Sequence, residues 1–220
     1  MAKPKLIIGN RNYSSWSLRP WLAIRAAGIS PEIEMIPLQQ PDTRERLIAR
    51  SPTGKVPVLY IGDEVIWDSL AICEAVADGH PDAGLWPTDA EAKRRARSVS
   101  AEMHSGFVPL RSHMPMNIRA SHPGAGMGEG VADDIARIDA VWSDCRNRFG
   151  ADGPYLFGTF SIADCMFAPV VFRFATYQPT LSATSQAYVD AMLDNPHMIE
   201  WRDAAHAETE TITSHDERYA

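Results

Sequence analysis

Three short stretches of this 220-residue chain carry side chains whose types and spacing suit chemistry. The first is Asn12-Tyr13-Ser14-Ser15-Trp16-Ser17-Leu18-Arg19-Pro20, with three hydroxyls in four positions just ahead of a helical pattern. Hydroxyls there lie beside the unsatisfied N–H groups and the partial positive end of a helix. A thiol brought to that point would have its thiolate favoured by the dipole and by a hydroxyl hydrogen bond. The second stretch is Lys55-Val56-Pro57, a loop before a β-like run. X-Pro bonds are where cis peptides occur. A cis bond here would turn the Val56 N–H and C=O outward, to pair in strand fashion with a peptide-like ligand. Lys55 is placed to meet a carboxylate. The third is Asp68-Ser69, where a hydroxyl and a free helical N–H can hold a carboxylate and the acid can hold an ammonium.

Each stretch also has a purely structural explanation. A serine or aspartate that merely caps its helix is worth ~1 kcal/mol, and a Val-Pro before a strand can be a plain loop. Taken singly, the structural explanation is the stronger one in all three.

The elements that must position these residues follow from punctuation and periodicity. Residues 5–8 form a compact apolar run ending at Gly9-Asn10, a strand and a turn. Leu18, Trp21, Leu22 and Arg25 then have helical spacing, and Gly28 is a stop. Pro20 fits a helix only in its first turn, which puts the helix start at residues 15–17. Residues 33–38 read as a second strand. Residues 42–50 read as a short charged helix capped by Asp42, with Glu45 three positions on. Residues 58–61 and 64–67 make a hairpin across Gly62-Asp63. Asp68-Ser69 then opens a helix with Leu70, Ile72, Cys73 and Val76 on its apolar side. This βαβαββα order predicts a mixed sheet with helices on its faces.

Residues 78–89 are rich in Pro, Gly and Asp and suit a linker; beyond them the pattern is helical throughout. Residues 90–113, 131–149 and 161–177 read as long helices, 185–193 and 197–207 as shorter ones. The expected organisation is an α/β domain over 1–79, a linker over 80–88 and an all-α helical domain over 89–220. Gly124-Ala-Gly-Met-Gly-Glu-Gly follows no strand, so it reads as a flexible hinge, not a phosphate loop.

Composition narrows the function classes. With 45% hydrophobic, 9% aromatic and 22% charged residues, the chain can bury a core, which excludes disorder and a disulfide-stapled miniprotein. A net charge of -7 offers no electrostatic footprint for nucleic acid. The charge is uneven: residues 1–88 carry 9 basic and 10 acidic side chains, residues 89–220 carry 12 and 18. The first half is thus left able to hold an anion. Cys73, Cys145 and Cys165 are scattered, with no CxxC, which argues against disulfides and a metal site and for the cytoplasm. No run approaches the ~18 apolar residues of a membrane span, and the opening residues lack a signal-peptide core.

The serine loop, the Val-Pro and the acid–serine pair stand at about positions 14, 56 and 68, and their order along the chain is more specific than any one of them. It resembles the glutathione transferase family, and the resemblance extends across the chain: a thioredoxin-like α/β domain, a linker, an all-helical domain. Phe160-Ser161-Ile162-Ala163-Asp164 looks like that family's folding signature, an N-capping box, which makes Ser161 and Asp164 structural. Ser14-Ser15-Trp16-Ser17-Leu18-Arg19 is most similar to the serine-type zeta motif Ser-Ser-Cys-Ser-x-Arg. Trp16 stands where that motif has cysteine, which counts against zeta-type isomerisation of maleylacetoacetate. Asp68 is shorter than the family's usual Glu or Gln.

The resemblance implies glutathione as co-substrate, with Ser15 or Ser14 donating a hydrogen bond to its thiolate and Tyr13 as a reserve hydroxyl. Val56 would pair with the cysteinyl part through its backbone. Asp68 and Ser69 would hold the γ-glutamyl end, and Lys55 and Gln40 would face the glycyl carboxylate. Arg19 would brace the loop. The electrophile would lie against Met103, Phe107, Arg111 and Met114, spaced as one face of the 90–113 helix, with Arg173 as a second cation. A detoxifying homodimer without metal is the implied assembly. The rivals are a zeta-like isomerase or dehalogenase that regenerates glutathione, and a non-catalytic adaptor or ligand-binding protein reusing the fold.

Overall fold

The computed structural model describes residues 3–219. Four strands, β1 (Lys5–Ile8), β2 (Glu32–Met35), β3 (Val58–Ile61) and β4 (Glu64–Ile66), form one sheet in the order β2-β1-β3-β4. β1 runs parallel to β2 with Leu6 opposite Ile33, and antiparallel to β3 with Leu6 opposite Leu59. β4 closes the hairpin. Because β1 is covered on both faces it is an unbroken apolar run, with Leu6, Ile7 and Ile8 all fully buried. Alternation then splits its side chains. Leu6 and Ile8 join the main core with Leu18, Leu22, Leu59 and Ile72 of the helices and strand behind them. Ile7 joins a small cluster with Ile36, Leu47 and Val58 under α2 (Thr43–Ile48).

α1 (Ser15–Ala26) starts where the sequence predicts, but Pro20 sits in its second turn. The proline removes the N–H that would bond the Trp16 carbonyl, a loss of about 3 kcal/mol in a helix interior. Burial of Leu18, Trp21, Leu22 and Ile24 contributes ~1.5–3 kcal/mol each and outweighs it. Asp42 occupies the N-cap of α2 without a side-chain cap bond, contrary to expectation. Thr43, the first residue of α2, instead ties down the turn before the helix: its hydroxyl accepts from Gln40 N (2.8 Å) and donates to Pro37 O (2.6 Å). α3 (Ser69–Gly79) packs beside α1 on the sheet's main-core face.

Among the described residues seven further α-helices follow: α4 (Ala90–Ser105), α5 (Val108–His113), α6 (Val131–Phe149), α7 (Ile162–Tyr177), α8 (Ala183–Leu193), α9 (Pro196–Ala207) and α10 (Thr213–Asp216). α7 is apolar nearly all round and buried along its length, with α1, α4 and α8 packed against it. The fold is therefore a small four-stranded mixed sheet with helices, followed by a helical domain.

One expected helix is two. Residues 90–113 break at Gly106-Phe107, where Phe107 adopts a left-handed φ of 59°. Gly106 caps α4 through Glu102 O, and a Cβ there would lie 2.9 Å from that oxygen. Pro109 stands in the first turn of α5, where a missing N–H costs nothing. Met103, Phe107, Arg111 and Met114 consequently do not share one helix face. The glycine-rich segment 124–130 joins α5 to α6, anchored by the bond from Gly124 N to Tyr177 O (2.8 Å).

Candidate active site

A cleft of about 400 Å³ opens between the sheet half and α4. Lys55, Val56 and Pro57 form one side of it, Asp68 and Ser69 another, and Trp16 and His104 the wall opposite. Each wall has a local cause. Ser51 Oγ accepts from Thr53 N (3.3 Å) and Lys55 N (3.2 Å), shaping the loop before β3. The Val56-Pro57 peptide is cis, as is Trp67-Asp68. Asp68 is the N-cap of α3; its Oδ1 accepts from Leu70 N (3.0 Å) and Ala71 N (3.3 Å). Its Oδ2 remains outside the cap, 3.0 Å from His104 Nε2 on α4. Ser69 Oγ, at the cleft, is buried without a hydrogen-bond partner among the described residues.

The two serines divide the labour. Ser14 is the N-cap of α1; its Oγ accepts from Ser17 N (3.4 Å) and shares a 2.7 Å bond with Ser17 Oγ. Ser17 Oγ accepts in turn from Gly9 N (3.1 Å), tying the end of β1 to the start of α1. Ser15 is the first residue of α1, 9% exposed, and its hydroxyl bonds no other described residue. Tyr13 is committed elsewhere: its hydroxyl donates to the Asp216 carboxylate (2.7 and 2.8 Å) and accepts from Arg119 and Ile212 N.

Trp16, 37% exposed, is braced from three directions. The Arg19 and Arg111 guanidinium carbons lie 4.4 and 4.8 Å from its ring centre, and His104 meets it edge-on at 5.4 Å. Arg19 is fully buried with Nε and Nη1 unpartnered among the described residues. Burial, with Arg111 and Arg173 nearby, pushes its pKa well below the usual arginine range. Arg111 donates Nη2 to the carbonyls of Met103 and His104 (3.2 Å to the latter), and burial lowers its pKa while Asp134 opposes the shift.

Of the sequence-predicted residues, Lys55, Val56, Asp68 and Ser69 line the cleft, whereas Ser14, Ser15, Phe107, Arg111, Arg173 and Gln40 do not; Ser15 adjoins it through its neighbour Trp16. Arg173 is buried and donates Nε to Met114 O (2.7 Å) and Nη1 to Pro169 O (3.0 Å). Burial, reinforced by Arg111, brings its pKa down to about 10. Phe107 is buried at the α4–α5 break, and Gln40 is exposed with Nε2 on its neighbour's carbonyl, Leu38 O (3.4 Å). Sequence reasoning missed His104 and the wall role of Trp16. His104 adjoins Met103 in a helix whose sequence displays chiefly its apolar stripe, and in the sequence Trp16 stands out only as a departure from a motif. Burial raises the pKa of all three cysteines, Cys145 to about 12, which disfavours the thiolate at each. Among the described residues no group of three or more His, Cys, Asp or Glu is placed to hold a metal, and no helix is long and apolar enough to cross a membrane.

A four-stranded mixed sheet with a cis-proline loop and the start of α3 at one cleft, backed by a helical domain, defines the class of fold. Two family models narrow it: residues 13–78 match "Glutathione S-transferase, N-terminal domain" and residues 128–204 match "Glutathione S-transferase, C-terminal domain". The chain belongs to the glutathione S-transferase family. It is 26% identical over 217 residues to a probable maleylacetoacetate isomerase of Caenorhabditis elegans, covering 96% of each chain. A Burkholderia glutathione transferase homolog solved with bound glutathione matches with a TM-score of 0.72 at 20% identity, over 94% of this chain and all of that one. A holo maleyl pyruvate isomerase, described as a bacterial zeta-class glutathione S-transferase, matches with a TM-score of 0.67 at 23% identity, over 94% and 100%. These two structural likenesses bear on the fold.

Proposed function

We propose that the protein binds glutathione in the cleft and uses Ser15 to favour its thiolate for attack on a small electrophile. The observation that carries this reading is the uncommitted Ser15 hydroxyl at the first position of α1, next to Trp16 in the cleft wall. Hydroxyl and helix dipole together lower a thiol's pKa, and one cleft orients the reactants. Val56 offers backbone groups to the cysteinyl part. Asp68 and the unpartnered Ser69 hydroxyl suit the γ-glutamyl ammonium and carboxylate. Lys55 and Gln40, both exposed, are offered to the glycyl carboxylate. Arg111, over the ring of Trp16, is offered to the electrophile with Phe107; Arg173, bonded to Met114 O, braces α7 against that residue. Family membership extends the reading to a cytoplasmic, detoxifying homodimer, and the three unpaired buried cysteines agree with a reducing compartment.

Ser15→Ala should lower kcat for conjugation of a model electrophile about 10²-fold, as loss of a transition-state hydrogen bond does, with little change in the KM for glutathione. If Ser14→Ala and Ser15→Ala both keep full kcat, the assignment is wrong. A second reading has a specific support: the C. elegans relative named as a probable isomerase matches along 96% of this chain. There glutathione would be regenerated, which product analysis distinguishes. Failure of retention on immobilised glutathione would favour a non-catalytic protein instead.

A further inference from the structure

The loop that delivers Ser15 belongs in sequence to the sheet half, yet residues from 117 to 216 hold it. Glu208 clamps its backbone: Oε1 accepts from Arg11 N (2.9 Å) and Oε2 from Asn12 N (3.3 Å). The Glu208 side chain is 6% exposed and pairs with the Arg11 guanidinium at 3.3 Å. Trp201 Nε1 donates to Arg11 O (3.0 Å). Asn12, fully buried, receives Arg119 N on Oδ1 (2.9 Å) and gives Nδ2 to Asn117 Oδ1 (2.8 Å). One residue on, Tyr13 OH donates to Asp216, whose Oδ1 also accepts from Asn117 Nδ2 (2.9 Å). Arg119 locks the arrangement, reaching Tyr13 OH (2.9 Å), Glu208 O (2.6 Å) and Glu210 O (2.9 Å).

We infer that Glu208 and Asp216 are positioning residues for Ser15, acting through the loop Arg11-Asn12-Tyr13. The inference rests on the reading of Ser15 given above. Two carboxylates 8 residues apart in the chain take consecutive anchors on one loop: two backbone N–H groups and the next residue's hydroxyl. Carboxylate acceptors make the stronger class of hydrogen bond, and the loop donors they satisfy have no other described partner. The turn these bonds hold runs straight into the helix start, where Ser14 N and Tyr13 N both bond Asn10 O. The position of the Ser15 hydroxyl therefore follows the loop. A hydrogen bond that stabilises a thiolate needs its donor held within about 0.5 Å of the productive place, and a displacement of about 1 Å can cost 10²-fold in rate. Val56, Asp68 and Ser69 stand on other elements, so glutathione affinity should be largely independent of these two acids.

The test uses the full chain carrying Glu208→Gln or Asp216→Asn, isosteric changes that remove charge and one acceptor. The readouts are kcat and KM for glutathione, the pH profile of kcat/KM, and the ultraviolet absorbance of bound thiolate. The expected result is a kcat lowered about 10-fold, a thiol titration moved about one unit upward, and a glutathione KM within about 3-fold of wild type, as for misplacement of a transition-state donor. Asp216 lies in α10, which buries no side chain, so its variant keeps the test readable should Glu208→Gln fail to fold. An unmoved pH profile with only a lower melting temperature overturns the inference, because that is the mark of a purely structural role. So does a KM rise matching the loss of kcat/KM. A wild-type chain that binds glutathione but loses nothing in Ser15→Ala overturns the Ser15 reading itself, which is distinguishable from variants that behave like an active wild type.

Discussion

Two helices in this molecule begin with a serine and an aspartate, and they put the same groups to opposite uses. At the start of α7, Asp164 is fully buried and accepts four bonds, from Leu156 N (3.1 Å), Ser161 N (2.8 Å), Ser161 Oγ (2.8 Å) and Tyr188 OH (3.0 Å). Burial raises its pKa nonetheless, with the hydrogen bonds pulling the other way. At the start of α3, Asp68 spends one oxygen on the cap and leaves the other in the cleft beside His104, while Ser69 Oγ bonds nothing described. The first pair is saturated and holds the helical core. The second has spare bonding capacity facing an open space. The difference is one of saturation: a capping motif can offer groups to a ligand only where its valences are left over.

Substitutions can break or sharpen that contrast. The largest effect belongs to Asp164→Ala, which strands several buried donors at about 1–3 kcal/mol each and should cost roughly 3–4 kcal/mol of stability after relaxation. Urea denaturation would measure it, and a loss below 1 kcal/mol would mean the buried pair is not the anchor it resembles. Asp68→Ala should raise the KM for glutathione about 10-fold, the equivalent of one good hydrogen bond, while costing only ~1 kcal/mol of stability for the cap. An unchanged KM would place the γ-glutamyl end elsewhere. The smallest effect is expected from Ser14→Ala: ~1 kcal/mol less stable by thermal unfolding, with kcat within about 2-fold of wild type. A larger fall in kcat would transfer the thiol's partner from Ser15 to Ser14.

Much of this was legible in the residues. β1, the start of α1, the hairpin after Pro57 and the cap at Asp68 all rest on patterns spanning a few positions. The family signature at Ser161 and Asp164 is of the same kind. The misjudged places are those where a distant contact outweighs a local rule. Pro20 stays inside α1 because the buried face of that helix contributes more than the proline removes. The helix over 90–113 breaks because Gly106 and Phe107 take a cap and a left-handed turn that an apolar stripe conceals. Arg173, predicted to face substrate, is buried and bonded to carbonyls of Met114 and Pro169, one of them 59 positions away.

By itself, then, the sequence determined the strand and helix order of the sheet half, the starts of α1, α3 and α7, and the presence of hydroxyls and an acid at the first two of them. Caps and turns depend on neighbours within about four residues, so they are written locally. Only the tertiary structure decided which hydroxyl is spare, that Trp16 is a wall held by two arginines, and that Tyr13 is bound to Asp216, 203 positions away. Those outcomes depend on which donors and acceptors meet after the chain closes on itself, and no local pattern encodes the partner of a hydrogen bond that spans nearly the whole chain.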